Sequence, residues 1–346
     1  MIDADRRTAW APGRVNLIGD HTDYAGGLVL PMAIDLGTTF TLRPGGTVLT
    51  VTSGQRQPLK LDVPVRKGLA AHLAGLEPAW GRYVAAMAVE LGATTGGRGE
   101  LTTTLPVGAG LSSSSSLEVA TALALGYVGQ PLELARLAQR AERAASGVQG
   151  GIMDQLVIAA GRSGHGLLID CATERYRHVP IPPEVEVWVA HSGVSRRLSS
   201  SGYSERRDAT ERAARLIGPL PTASAEAIES LEDPVLRRRA RHVRSECDRV
   251  EVFAAALAAG DSAAAGAAMV ASHNSLRDDF DVSVPALDTL VESLCERPDV
   301  FGARLTGAGF GGCVVALARA GSDLGDAAAR VWRVRPSDGA RLIDAP

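Results

Sequence analysis

The sequence predicts an α+β protein of two domains. Strand-like and helix-like stretches mix without the strict βα alternation of a doubly wound sheet. Glycine-rich punctuation, "GRSGHGLLID" from Gly161 to Asp170, divides the chain near its middle. A length of 346 residues suits one large or two ordinary domains. The expected division is therefore 1–160 and 161–346.

Taken in order, "VNLIG" reads as an apolar strand, and "GLVLPMAID" and "TTFTLRP" are rich in β-formers. "TVLTVTSG" and "ELTTTLPVG" alternate like half-buried strands. "LEVATALALGYVG" is a helix pattern ended by glycine, and a second helix runs from Leu132 to about Ala145 on leucines and alanines three and four apart. Past the boundary, "EVEVWVAHSG" reads as a strand, followed by helices over 202–217, 234–259 and 261–276 and another from about Pro285. "CVVALARA" is a β-branched strand pattern, and "LGDAAARVW" closes the set as a short helix.

With 45% hydrophobic and 22% charged residues the chain reads as globular, and a net charge of −3 offers no broad basic field for nucleic acid or an anionic membrane. Cys171, Cys247, Cys295 and Cys313 form no CxxC pair, and the seven histidines show no ligand spacing, so no zinc site is expected. The first residues lack the apolar run of a signal peptide, no stretch is long enough to span a bilayer, and a reducing cytoplasm is the default expectation.

Three glycine-bearing motifs carry the chemistry. In "PVGAGLSSSSSLEVATALAL" the glycines allow close approach of backbone amides, and serines stand where a strong helix former begins. A helix N-terminus of that kind suits phosphate, and serine hydroxyls add donors or magnesium ligands. The same pattern equally describes a capped helix without a ligand. No Gly-Lys dipeptide exists for a Walker A loop, and the VAIK and HRD motifs of protein kinases are missing, so a nucleotide would be held by amides, hydroxyls, arginines and metal. In "TGAGFGGCVVAL", Gly307, Gly309 and Gly312 match GxGxxG, but a strand rather than a helix follows; a tight turn between strands explains it as well as ligand contact does. In "APGRVNLIGDHTDYAGGLVLPMAID", a strand carrying Arg14 runs into Asp20, His21 and Asp23, a dense set of partners for sugar hydroxyls.

Together these motifs resemble the GHMP kinases, and within them the galactokinase family. "GRVNLIGDHTDY" is similar to the galactokinase signature, "PVGAGLSSSSSLEVA" to the phosphate loop and "GARLTGAGFGGCVVAL" to the third motif. "GGIMDQ", "LLIDC" and "SHNSLRDDFDVSVPALDTLVE" add matches in order along nearly the whole chain. The resemblance implies the two-domain GHMP kinase fold, a ribosomal S5 domain 2-like N-terminal domain with a ferredoxin-like C-terminal domain, and an active site in the interdomain cleft. It implies an ATP-dependent sugar-1-kinase acting on D-galactose, with ATP and Mg2+. A related sugar (N-acetylgalactosamine, another hexose or a uronic acid) is the alternative within the enzyme class, and a non-catalytic sensor on the same fold the alternative outside it. No nucleic acid or membrane partner is expected, and the assembly is expected to be a monomer or weak dimer.

Residue by residue, the resemblance makes Asp154 the catalytic base and Arg14 its partner. Asp20, His21, Asp23, Gly151 and Tyr203 fall on sugar-contact positions. Gly108, Gly110, Leu111, Ser112, Ser113, Ser114, Ser115 and Ser116 form the phosphate loop, with Ser114 and Glu142 as magnesium ligands. Read alone, Asp154 would be a helix N-terminal acid, Glu142 a surface helix charge and Tyr203 a core tyrosine. Two departures stand out. Asp20 replaces the family's usual glutamate, one methylene longer, and Ala25 its common asparagine.

Overall fold

The computed structural model describes residues 6–343 except 55–56, 63–72, 74, 107 and 195–198, and only the backbone of 199–201. Lys67 and the first five residues lie outside that description.

Two long strands open the chain, β1 (Arg7–Ile18) and β2 (Leu28–Pro44), paired antiparallel from Arg7↔Leu42 to Ile18↔Leu30. The two β-forming pieces read from the sequence are one continuous strand. Gly37 joins them because a Cβ there would stand 2.4 Å from the Ala11 carbonyl, so only glycine lets β1 lie alongside. β3 (Val48–Thr52), β4 (Leu59–Asp62) and, after helix α1 (Gly81–Glu90), β5 (Gly97–Thr103) widen the sheet, with β3 and β5 parallel. Helices α2 (Ser113–Ala124), α3 (Pro131–Ser146) and α4 (Met153–Ala160) follow and cover one face. Their buried side chains, among them Ala120, Ala138 and Leu156, pack with Phe40 and Leu42.

β6 (His165–Asp170) and β7 (Arg175–Pro180) pair with each other, and β6 also pairs with β2, so residues just past 160 still belong to this first sheet. A second sheet then begins with β8 (Val185–His191). Helices α5 (Ser199–Ile217), α6 (Ala225–Glu229), α7 (Pro234–Ala259), α8 (Ser262–Asp278) and α9 (Pro285–Cys295) come next. The long α7 has clear ends: the Asp233 side chain accepts the Val235 N–H, Pro234 fills the first position, and Gly260 takes the left-handed cap at φ 73°. β9 (Val300–Thr306), β10 (Cys313–Arg319) and β11 (Val331–Val334) complete the sheet in the order β11-β8-β10-β9. The chain finally returns as β12 (Arg341–Ile343) to pair with β1 in the first sheet.

The short helix expected at "LGDAAARVW" is a correction. Residues 324–330 form turns, and Val331–Val334 pair with β8. A nine-residue segment is too short to hold a helix by itself, and the open edge of β8 offers the backbone a full ladder of hydrogen bonds.

β10 explains how the two sheets become one body. Cys313, Val315 and Leu317 face a middle core shared with Val15, Leu17, Leu30 and Met32 of the first sheet. Val314, Ala316 and Ala318 face the opposite way, into a core with Leu276, Leu287 and Leu290. A strand covered on both faces reads as an unbroken apolar run, as "CVVALA" does.

Candidate active site

β1 delivers the first charged group. Gly13 passes so close to the serine loop that a Cβ would stand 2.6 Å from the Leu111 carbonyl, which in turn accepts the Arg14 N–H at 3.2 Å. The Arg14 side chain, 7% exposed, then meets Asp154 on two fronts: Nε donates to Oδ1 at 2.7 Å and Nη2 to Oδ2 at 2.6 Å. Its Nη1 donates to the Gly110 carbonyl at 2.7 Å. This is a bidentate fork, the strongest geometry for such a pair. Burial opposes the Arg14 charge, but Asp154, Asp20 and Asp23 hold its pKa above the usual value. Asp154 lies in the first turn of α4, where the helix dipole favours an acid.

The serine loop has glycines at φ 81° (Gly108) and 80° (Gly110), values that favour glycine. Ser112 occupies the N-cap position of α2, as expected, but it does not cap. It sits in the left-handed region (φ 56°, ψ 48°) and turns its hydroxyl to Asp154 Oδ2. No side chain caps α2, which leaves its N-terminus for a ligand. The remaining serines divide by direction. Ser113 and Ser114 are half-buried, and Ser114 donates to Glu142 at 2.8 Å. Ser115 is buried and donates to the other Glu142 oxygen at 3.3 Å, joined there by Gln155 Nε2. Ser116 is fully buried and donates to the Ala11 carbonyl at 2.9 Å, fastening α2 to β1.

Beyond β1 the chain turns at Gly19, where a φ of 97° and a Cβ only 2.7 Å from the Leu28 carbonyl both require glycine. The next residues crowd around the turn. His21 Nε2 donates to the Ala308 carbonyl at 3.2 Å and Nδ1 accepts from Tyr24 at 3.1 Å. Burial and the neighbouring His242 push the His21 pKa down to about 3, so its ring is neutral. The Asp23 carboxylate fills the space where a Gly151 side chain would begin, with a Cβ there 2.2 Å from Oδ2. Tyr203 places its ring 5.8 Å from that of His21. The third motif is a tight turn between β9 and β10 that also lines the cavity through Gly307 and Ala308.

One cavity of about 950 Å³ lies between the two sheets, and among the described residues of the serine loop only Ser114 lines it. Arg14, Asp154, Ser114 and Glu142 lie on its wall with His21 and Asp23. Asp20 also reaches it but is 2% exposed: one oxygen accepts the Gly307 N–H at 3.0 Å and the other stands 2.6 Å from Arg304.

The cavity is rich in acid. Burial, with Asp154 next, raises the Asp23 pKa to about 6 and raises that of Glu142. Such a surplus of carboxylates beside a hydroxyl–carboxylate pair, Ser114 with Glu142, is the donor chemistry of a hard divalent cation. The residues present therefore fit magnesium. Glu118, one turn behind Ser114, has both oxygens buried without a hydrogen bond, and burial holds its pKa well above the ordinary range.

Sequence reasoning missed several contributors. Gln155 had a signal, standing next to Asp154. Arg304 is a charge in the middle of an apolar strand. His242 and Glu246, four apart on α7, both reach the loop after β1, with nothing in the local pattern to announce it. Tyr83 and Arg207 border the cavity from α1 and α5.

Known proteins resemble this chain in sequence and fold. The galactokinase galactose-binding signature matches residues 3–44, the GHMP kinases N-terminal domain residues 80–162 and the GHMP kinases C-terminal model residues 253–334. The galactokinase of Canis lupus familiaris is 42% identical over 90% of this chain and 83% of its own, and that of Chloroflexus aurantiacus 43% identical over 91% and 84%. The crystal structure of Lactococcus lactis galactokinase complexed with galactose superposes with a TM-score of 0.90 at 29% identity, covering 98% of this chain and 95% of that one.

Proposed function

Because the chain belongs to the galactokinase family of the GHMP kinases, we propose that it transfers the γ-phosphoryl group of ATP to the anomeric hydroxyl of D-galactose, giving galactose 1-phosphate. The observation that carries the reading is the bidentate Arg14–Asp154 pair, tied by Ser112 to the N-terminus of α2 and open to the cavity.

Phosphoryl transfer is governed by alignment and charge rather than covalent help. A carboxylate offers about four acceptor sites. Arg14 takes two on Asp154 and Ser112 a third, which leaves one on Oδ1 for the sugar hydroxyl. Asp154 orients that hydroxyl and receives its proton, with the Arg14 fork fixing the position of the carboxylate. His21, Asp23, Gly151 and Tyr203 surround the sugar. Neutral His21 already spends both ring nitrogens on Ala308 and Tyr24, so it contributes shape, while Asp23 accepts hydroxyl protons. The Gly108–Ser116 loop holds the phosphates at the start of α2. Ser114 and Glu142 would hold magnesium, which would supply positive charge to offset that of the phosphates.

Among the described residues no helix is long and apolar enough to cross a membrane. The four cysteines form no disulfide; a cytoplasmic setting and a monomer or weak dimer remain our reading. For the domains, we retain 1–160 and 161–346 as the two sequence halves, with β6, β7 and β12 of the second completing the first sheet. The test is ATP-dependent phosphorylation of a panel of free sugars, with the phosphorylated carbon assigned by NMR. Galactose 1-phosphate as the preferred product supports the reading; transfer to another position, or no transfer, overturns it.

A further inference from the structure

We propose that Asp20 and Arg304 form a positioning pair for the sugar site, in which Asp20 holds the end of β1 to the β9–β10 turn and contacts no substrate. The proposal rests on the sugar-kinase reading and concerns how that site is kept in shape. Arg304 has no exposed surface, and Asp20 is almost as fully sealed. Asp20 Oδ1 accepts the Gly307 N–H at 3.0 Å, and Oδ2 stands 2.6 Å from Arg304 Nη2 as an ion pair without hydrogen-bond geometry. Arg304 also donates Nη1 toward the carbonyls of Leu17 at 3.2 Å and Asn16 at 3.4 Å, and Thr306, two residues on, donates to Asn16 at 2.9 Å. One arginine thus grips both the backbone of β1 and the side chain just beyond it.

The contacts then run in step. Asp20 holds Gly307, and His21 holds Ala308, so two consecutive residues of one loop are pinned to two consecutive residues of the other. From the far side, α7 completes the fastening. His242 Nε2 donates to the Asp20 carbonyl at 3.1 Å, and Glu246 accepts the Gly19 N–H at 3.0 Å. Aspartate suits this task because its single methylene keeps the carboxylate close to its own backbone, where β9 lies. A glutamate would carry the charge one methylene further from Arg304. The shorter side chain, a departure from the family pattern, is on this account the length the brace requires.

Asp20→Asn isolates the pair. The amide oxygen still accepts the Gly307 N–H, but its NH2 cannot pair with a guanidinium, which has only donors. Wild type and D20N are assayed for kcat and KM on galactose and on its 2-, 3-, 4- and 6-deoxy analogues, which keep the anomeric hydroxyl, at saturating ATP. A positioning role raises the sugar KM of D20N about ten-fold or more, leaves the ATP KM within about two-fold, and gives the same penalty with every deoxy sugar. A direct contact instead makes the penalty vanish for the one sugar lacking the hydroxyl Asp20 had held, and that result overturns the proposal. Arg304→Met is the second arm: its sugar KM should match that of D20N, and D20N/R304M should add nothing further. Additive effects would count against a shared brace, and if R304M does not fold the deoxy series decides alone. Wild-type turnover of galactose, measured first, tests the kinase reading separately.

Discussion

Two arginine–aspartate pairs meet the later part of β1, one through Arg14 on the strand and one through Asp20 just beyond it, and they do different work. Arg14 and Asp154 meet in a bidentate fork at the cavity wall, and the aspartate side chain keeps 24% of its surface exposed. Arg304 and Asp20 meet at the same 2.6 Å, but their side chains are 0% and 3% exposed. The chemistry of the partners is the same; access is what differs. A pair with an open lone pair can take a substrate proton, whereas a sealed pair can only hold its surroundings in place. Arg14 ties a helix and a loop together at the cavity wall, and Arg304 ties two strands together behind it.

The comparison is sharpened most by removing the open pair's acid. Asp154→Asn should lower kcat by about 10²–10⁴-fold while sugar and ATP still bind, checked by steady-state kinetics beside calorimetric titration. Undiminished turnover would remove Asp154 as base. The sealed pair should answer in stability instead. Arg304→Met leaves a buried acid without its partner and should cost about 3–5 kcal/mol in urea unfolding, with D20N/R304M recovering part of the loss.

A third expectation concerns Asp23, whose pKa the fold raises from 3.8 to about 6. Folding therefore favours its protonated form, a contribution that is complete below pH 3.8 and lost as pH rises through about 6. Asp23→Asn should raise stability at pH 8 by up to about 2–3 kcal/mol and change little at pH 4, while sugar binding weakens. Equal shifts at both pH values would show that its charge costs the fold nothing. The smallest effect belongs to Glu118, whose carboxyl burial pushes well above the ordinary range. Glu118→Gln should change unfolding stability at pH 7 by less than about 1 kcal/mol, since amide and protonated acid are nearly isosteric.

Much of the molecule was legible beforehand. The helices over 234–259 and from Pro285, and the strand at "CVVALARA", appear where periodicity put them. The helix read over 261–276 runs two residues further, to Asp278. Of the residues named from the motifs, Arg14, Asp20, His21, Asp23, Ser114, Glu142, Gly151, Asp154 and Tyr203 border one cavity although their segments are far apart in the chain, whereas the other phosphate-loop residues named do not line it. What failed were local readings that tertiary contacts override. "LGDAAARVW" has helix-forming composition, yet a sheet edge took its last residues. Ser112 has the residue type of a cap, yet a carboxylate 42 residues away claims its hydroxyl. Asp20 borders the cavity, yet one of its oxygens also meets an arginine nearly three hundred residues further on, which no local pattern announces.

By itself the sequence determined which chemical groups exist and which local backbone each can adopt. Glycines at 19, 108 and 110 admit left-handed turns, serines begin a helix, and β-branched runs make strands, because steric and hydrogen-bonding preferences act over a few residues. Only the tertiary structure decided which acid meets which arginine and how much water reaches them. Coulomb attraction and desolvation depend on distance and burial in space, and neither quantity is a property of position along the chain.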